Sequence, residues 1–256
     1  MQNKWAVITG ASGGLGVAFA RHLASRGYDV VLVARSEAPM ERLAQELRRL
    51  PVEVVVESID LSAAGSAADL LSRLDRRGIE PDVLINNAGV GFSGPFVTQD
   101  EDRLRAMLML NIVGLTELSH AYGRRMFDRG HGHILLVGSM AAYLPVPLMA
   151  AYAASKAYVL SLGEALNVEF APRVKLTVLS PGLMDTGFNT ASGYETPPSL
   201  KVTELPVDLV ARIGLEAMFR GKSGVIAGRF NKIAAVLGRV LSRHFLARQQ
   251  FNGKAS

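Results

Sequence analysis

Trp5-Ala6-Val7-Ile8-Thr9-Gly10-Ala11-Ser12-Gly13-Gly14-Leu15-Gly16 carries a strand-like run of five residues straight into a glycine-rich loop. A helix-period segment follows at once. Glycines between a strand and a helix let the backbone come close to a ligand, and the helix N-terminus offers unpaired N–H groups to a phosphate. The first glycine permits the turn, and the last permits close packing of helix on strand. Gly10, Ser12, Gly14, Leu15 and Gly16 are therefore candidates for a dinucleotide site. The competing reading is a tight connection with no ligand.

Outward from that loop, apolar strand candidates fall at 5–9, 29–34, 52–57, 82–86, 133–138, 174–180 and, more weakly, 224–227. Helix-period segments lie between them at 15–26, 38–50, 63–77, 101–129, 151–171 and 206–220. Strands alternating with helices of this length pair in parallel and place helices on both sheet faces. Near-continuous apolar strands such as Val30-Val31-Leu32-Val33-Ala34 suit a sheet buried on both sides. The pattern predicts a doubly wound α/β domain over 1–228, with a seven-stranded, mainly parallel sheet. Its cofactor half spans about 1–138 and its catalytic half about 139–228. A basic helical extension follows over 229–256.

The 256 residues are 49% hydrophobic, enough for a substantial core, and no apolar run approaches the ~18 residues of a membrane span. No charged leader with a longer apolar stretch precedes Trp5, so no signal peptide is expected. The absence of cysteine excludes disulfides, thiolate catalysis and cysteine-based zinc sites, and fits a cytoplasmic location. The net charge of +5 is unevenly placed. From Ala217 to Ser256 there are eight basic residues and no acidic ones, leaving 20 basic against 23 acidic side chains elsewhere. His131-Gly132-His133 has no acidic partner nearby and reads as a surface turn, with no metal. Gly221-Lys222-Ser223 ends like a phosphate-binding P-loop, but Glu216 stands where that motif needs glycine.

Beyond Gly16 the second strand ends at Ala34-Arg35-Ser36. An NAD site usually places a carboxylate there for the adenosine ribose, whereas an arginine accommodates a 2′-phosphate. Arg35 and Ser36 favour NADP(H), with NAD(H) the weaker alternative. Tyr152 and Lys156, in Tyr152-Ala153-Ala154-Ser155-Lys156, are one helical turn apart on one face. A free tyrosine has a pKa near ~10, and an adjacent ammonium favours phenolate and brings it toward the range of a general acid/base. Ser139 follows the strand-like Ile134-Leu135-Leu136-Val137, so it sits at a strand's carboxyl end, where open α/β sheets bind ligands. Alone, a tyrosine four residues before a lysine is an ordinary exposed pair; its neighbours give it weight.

The glycine loop, Asn86-Asn87-Ala88-Gly89, Ser139, Tyr152, Lys156 and Pro181-Gly182, in that order, resemble the short-chain dehydrogenase/reductase family over about residues 4–190. The resemblance implies a Rossmann-like fold. It further implies that Asp60, with Leu61 after it, meets the adenine, and that Asn87, Ala88 and Gly89 lie along the cofactor. Pro181, Gly182, Met184 and Thr186 would lie against the nicotinamide and its carboxamide or phosphates. Asn111 corresponds to the family's helix-borne asparagine, which binds a water connecting the lysine to solvent. Tyr152 and Lys156 would then also touch the cofactor. The implied reaction passes a hydride between nicotinamide and a carbonyl or alcohol carbon, with Tyr152 moving the proton, Lys156 lowering its pKa and Ser139 donating to the reacting oxygen. In the related enzymes, helices corresponding to 101–129 and 151–171 pack against a second subunit, so a homodimer or homotetramer is expected.

Phe92, Met140, Leu144, Met149 and Phe188, with Met184, suggest an apolar pocket for a small carbonyl or alcohol substrate such as a ketone, aldehyde, steroid or acyl compound. Met107 and Met109 read as core or subunit interface. The stretch 183–205, with Gly187, Gly193, Pro197 and Pro198, has the composition of a lid. In the tail, Ile233, Val236, Leu237, Val240, Leu241 and Phe245 share one side of a helix, with Lys232, Arg239 and Arg243 on the other. Packing over the body or a second subunit is favoured over peripheral contact with an anionic membrane, and nucleic acid is disfavoured because the remaining surface is not basic. Two other functions fit the fold: a nucleotide-binding regulator without turnover, and an epimerase or dehydratase using the same site.

Overall fold

The computed structural model describes residues 4–188, 192–194, 201 and 203–252. Seven strands form one parallel sheet: β1 (Trp5–Thr9), β2 (Asp29–Ala34), β3 (Val54–Ser58), β4 (Pro81–Asn86), β5 (Gly132–Val137), β6 (Val174–Ser180) and β7 (Gly224–Ile226). The spatial order is β3-β2-β1-β4-β5-β6-β7. The chain winds outward from β1 to β3, returns to the middle and winds the other way from β4. That reversal leaves a crevice at the carboxyl ends of β1 and β4.

Side-chain alternation assigns the two faces. Ala6, Ile8, Val30, Leu32, Val83 and Ile85 point into a core shared with α1 (Gly14–Ala24), α2 (Glu37–Leu47) and α7 (Val207–Phe219). Trp5, Val7, Val31, Val33 and Leu84 point the other way, onto α3 (Ser66–Arg76), α5 (Leu115–Arg129) and α6 (Ala150–Phe170). Burial on both sides explains why the strands read as unbroken apolar runs.

The stretch expected as one helix over 101–129 is three pieces. α4 (Glu101–Leu108) is capped by the Asp100 carboxylate, which accepts from the Arg103 N–H at 2.8 Å. A π-helical segment, Met109–Gly114, joins α4 to α5. β3 begins two residues later than expected, and α3 begins after a turn through Gly65, whose φ is +77°. His131 is exposed, while His133 lies in β5, edge-on to Phe219 at 5.2 Å between ring centroids, so only the first of the pair is a surface turn residue. The tail forms α8 (Arg229–Val240) and α9 (Arg243–Asn252). Among the described residues no helix is long and apolar enough to cross a membrane.

Candidate active site

At the switch point the Thr9 hydroxyl accepts from the Asn87 and Ala88 N–H groups, both at 2.9 Å, and Asn87 Nδ2 donates to the Thr9 carbonyl at 2.8 Å. These bonds tie the loop after β1 to the loop after β4. The Asn86 amide, by contrast, turns inward to the Leu115 carbonyl and is structural. At Gly16 a side chain would overlap the Gly10 carbonyl, so helix and loop touch through backbone. α1 has Gly13 at its N-cap, with no side-chain cap and no acidic residue in its first turn. Where Asp100 satisfies and shields the start of α4, the first amides of α1 are left for an anion. Thr186 lies directly against Gly14.

At the end of β2, Arg35 and Ser36 are exposed. Ser36 occupies the N-cap of α2 without its hydroxyl capping it. Burial pushes the nearby Asp60 carboxyl up, but the Ser62 hydroxyl at 2.7 Å, the Ser62 N–H at 2.9 Å and the Arg35 charge hold it below its ordinary value. One cleft of about 410 Å³ is lined both by Arg35, Ser36, Asp60 and Leu61 and by Gly10, Ser12, Gly14, Leu15, Asn87, Ala88, Gly89, Tyr152, Lys156 and Thr186.

α6 brings Tyr152 and Lys156 to the other end of that cleft, both buried. Ser139 follows β5 in extended conformation; its Oγ accepts from the Ala141 N–H at 3.1 Å, and its hydroxyl lies close enough to the Tyr152 phenol to pull that group's pKa down. Burial drives the phenol up to about 12, against the downward pull of Ser139. It drives the Lys156 ammonium down to about 8, and Lys156 Nζ donates to the Val137 carbonyl at 2.9 Å. This corrects the expectation that the lysine lowers the tyrosine: desolvation dominates both groups, and the ammonium is engaged by backbone, 5.8 Å from the centre of the phenol ring. Asn111, fully buried in the π-helical segment, accepts from the Val90 N–H at 3.0 Å and donates to the Val90 carbonyl at 2.9 Å and to Ser155 Oγ at 3.1 Å. Both of its N–H groups are used, so its side chain has only acceptor capacity left for a water. Its amide braces the β4 loop against α6.

Four expected cofactor residues lie outside the cleft lining. Gly16 acts through packing on Gly10. The Pro181 carbonyl accepts from the Met140 N–H at 2.8 Å, tying that loop to Ser139's, and Gly182 lies under Asn231 of α8. Met184 bridges to Leu205 and packs on the main core, away from the pocket. Of the apolar candidates, Phe92, Met149 and Phe188 gather round Tyr152, with Phe188 5.5 Å from it between ring centroids. Leu144 does not: it lies under Gly238 of α8 and lines a separate groove with Arg243. Met140 is half-buried and absent from the Tyr152 cluster.

Sequence reasoning missed Thr9, whose signal was its place at the head of the glycine loop. Met107, read as core or subunit interface, is a core residue, and that core cluster is the one around Tyr152, with Val90 and Tyr194 packed against it. Arg103, with its guanidinium 4.2 Å above the Phe92 ring, gave no signal. In the expected lid, the Ser192 carbonyl accepts from the Ser93 N–H at 2.8 Å, while Pro197 and Pro198 lie outside the described residues.

The model of the short chain dehydrogenase family matches residues 4–196. The chain belongs to that family. This short-chain dehydrogenase is 32% identical over 192 residues to the probable oxidoreductase EphD of Mycobacterium tuberculosis, a match covering 74% of this chain and 32% of EphD, so the chain spans about a third of that relative's length. Among solved structures it resembles a short-chain dehydrogenase from Sphingobium yanoikuyae in complex with NADPH, with a TM-score of 0.81 and 31% identity over 93% of this chain and 94% of the other. It also resembles the bulky-bulky ketone specific alcohol dehydrogenase from Comamonas testosteroni, with a TM-score of 0.78 and 31% identity, covering 94% of both chains.

Proposed function

We propose that the protein is an NADP(H)-dependent carbonyl reductase or alcohol dehydrogenase for an apolar substrate, with Tyr152 as its general acid/base. The observation that carries this reading is a single cleft with Arg35 and Ser36 at one end and Tyr152 and Lys156 at the other. β2 and β5 are three strand spacings apart, roughly 14 Å, a span suited to an extended dinucleotide. The residues fit that group: backbone close to backbone at Gly10 and Gly16, uncapped α1 amides for the pyrophosphate, and a guanidinium with a free-standing hydroxyl for the 2′-phosphate. Arg35 sets the preference for NADP(H), with NAD(H) as the weaker ligand.

When bound, the nicotinamide supplies or takes up the reducing equivalent at the substrate carbon. The residues of this chain manage the proton. A phenol held near 12 stays protonated at neutral pH and is the acid in reduction, giving its proton to the carbonyl oxygen. Ser139, beside that phenol, donates to the same oxygen as negative charge builds there. Lys156, fixed by its bond to the Val137 carbonyl, would hold the nicotinamide ribose. Asn111 holds Val90 and α6 in register, keeping both groups in place. Phe92, Met107, Met149 and Phe188 supply apolar walls that exclude water, and the substrate therefore presents an apolar body beside its carbonyl.

The aromatic and methionine walls also support a ketone over a charged sugar as substrate, in keeping with the Comamonas relative's preference for bulky ketones. We further infer a homodimer or homotetramer through α5 and α6, where Tyr158 and Val168 are exposed.

The decisive experiment follows NADPH oxidation with aldehydes, ketones, steroids and 3-oxoacyl thioesters in wild type and Tyr152→Phe. Wild type should turn over an apolar ketone, and the variant should lose at least ~100-fold in kcat while NADPH affinity stays within about twofold. Comparable turnover by both would remove Tyr152 from the proton-transfer role.

A further inference from the structure

α8 presents its side chains in the reverse of the arrangement usual for a water-facing helix. Its small residues face the body: Asn231 covers Gly182, Ala235 is buried, and Gly238 sits on the Tyr143 carbonyl and Leu144. Its bulky ones face out, with Phe230 65%, Val236 61% and Ile233 59% exposed. Seven of the twelve large apolar side chains that the described residues expose lie between Phe230 and Phe251. A helix on a soluble surface turns such residues to the core, and a cluster left outside marks an interaction surface.

Charge selects the occupant. From Ala217 to Ser256 there are eight basic residues and no acidic one. Arg229, Lys232, Arg243 and Arg248 are exposed among the exposed apolar groups. Apolar side chains flanked by cations match acyl chains beneath anionic headgroups. A second copy docking through the same face would set each set of cations against its own image, with nothing acidic in the segment to offset the repulsion. We propose that α8 and α9 dock the protein peripherally onto an anionic lipid bilayer, with the phenylalanines and aliphatic residues at the acyl boundary and the arginines and lysine at the headgroups. The inner side of α8 touches the loops at Gly182 and Leu144. Docking therefore places those loops about one helix diameter, roughly 10 Å, from the lipid. The proposal is independent of the reaction catalysed.

The test is co-sedimentation of the full chain with vesicles of phosphatidylcholine alone and with about one-third phosphatidylglycerol, at low salt and at about 0.5 M salt. Two variants accompany it: Phe230→Glu/Ile233→Glu for the apolar face, and Arg229→Glu/Lys232→Glu for the charge. All four positions are exposed, so thermal midpoints should match wild type. Wild type should pellet with the phosphatidylglycerol vesicles, bind at least ~10-fold less to phosphatidylcholine alone or at high salt, and lose binding in both variants. Equal partitioning onto the two vesicle types, or no pelleting, overturns the proposal. So does light scattering in which Phe230→Glu/Ile233→Glu converts a wild-type oligomer to a smaller species, because the face would then be a subunit interface.

Discussion

Lys156 holds a charge where its surroundings oppose one. Burial lowers its ammonium from 10.5 to about 8, so between pH 8 and 10.5 the unfolded chain binds more protons at this position than the folded one. Stability therefore rises with pH across that window, and the buried charge weighs against folding below it. Lys156→Met should be more stable than wild type at pH 7, by about 1–3 kcal/mol, and lose turnover. The advantage should shrink toward pH 10; melting curves at both pH values would reveal a constant difference if the charge is not the cause. Arg35 makes the opposite kind of contribution, exposed and specific. Arg35→Ala should raise the KM for NADPH at least ~10-fold and leave that for NADH within about twofold, consistent with loss of a charge-assisted contact to phosphate. Equal effects on the two cofactors would place the 2′-phosphate elsewhere.

At the scale of elements, the strands were legible because burial on both faces demands continuous apolar runs, and Val30 to Ala34 could be little else. The Tyr152–Lys156 pair was legible because helical spacing alone puts both on one face. The π-helical segment was not, since Asn111's bonds to Val90 and Ser155 join it to residues distant in sequence. The same holds for Leu144 and Met184, whose neighbours are Gly238 and Leu205. His133 gives β5 a pH dependence. Burial first, then Lys175, lowers its imidazole from 6.5 to about 4, so the folded chain keeps it neutral while the unfolded chain takes up the proton. Stability is full above pH 6.5 and declines as pH falls toward 4. His133→Phe should flatten that decline by roughly 1–2 kcal/mol between pH 6.5 and 4.5, read from denaturant midpoints. An unchanged slope would mean that other groups carry the acid sensitivity.

At the scale of the molecule, the cleft and the tail meet. α8 rests on Gly182 through Asn231 and on the Tyr143–Leu144 turn through Gly238, so it supports two loops that adjoin the site. A chain ending at Gly228 should keep its sheet and its far-UV circular dichroism but bind NADPH at least ~5-fold more weakly, because the Gly182 loop loses its cover. Unchanged affinity would make α8 a passenger. Amphipathicity identified the tail's two sides but not which one meets the body. That depends on Gly182 and Gly238, where only small surfaces can approach.

The π-helical segment between α4 and α5 also bears on how this protein could change. One residue more than a regular helix turn means that the stretch carrying Arg103 and Met107 is rotated, relative to α5, by about 100° from where an uninterrupted helix would put it. Loss of a single residue there would swing Met107 away from Tyr152 while leaving α5 seated on the sheet. Insertion and deletion at this point, rather than substitution, are therefore the shortest route to a differently shaped substrate wall on an unchanged frame.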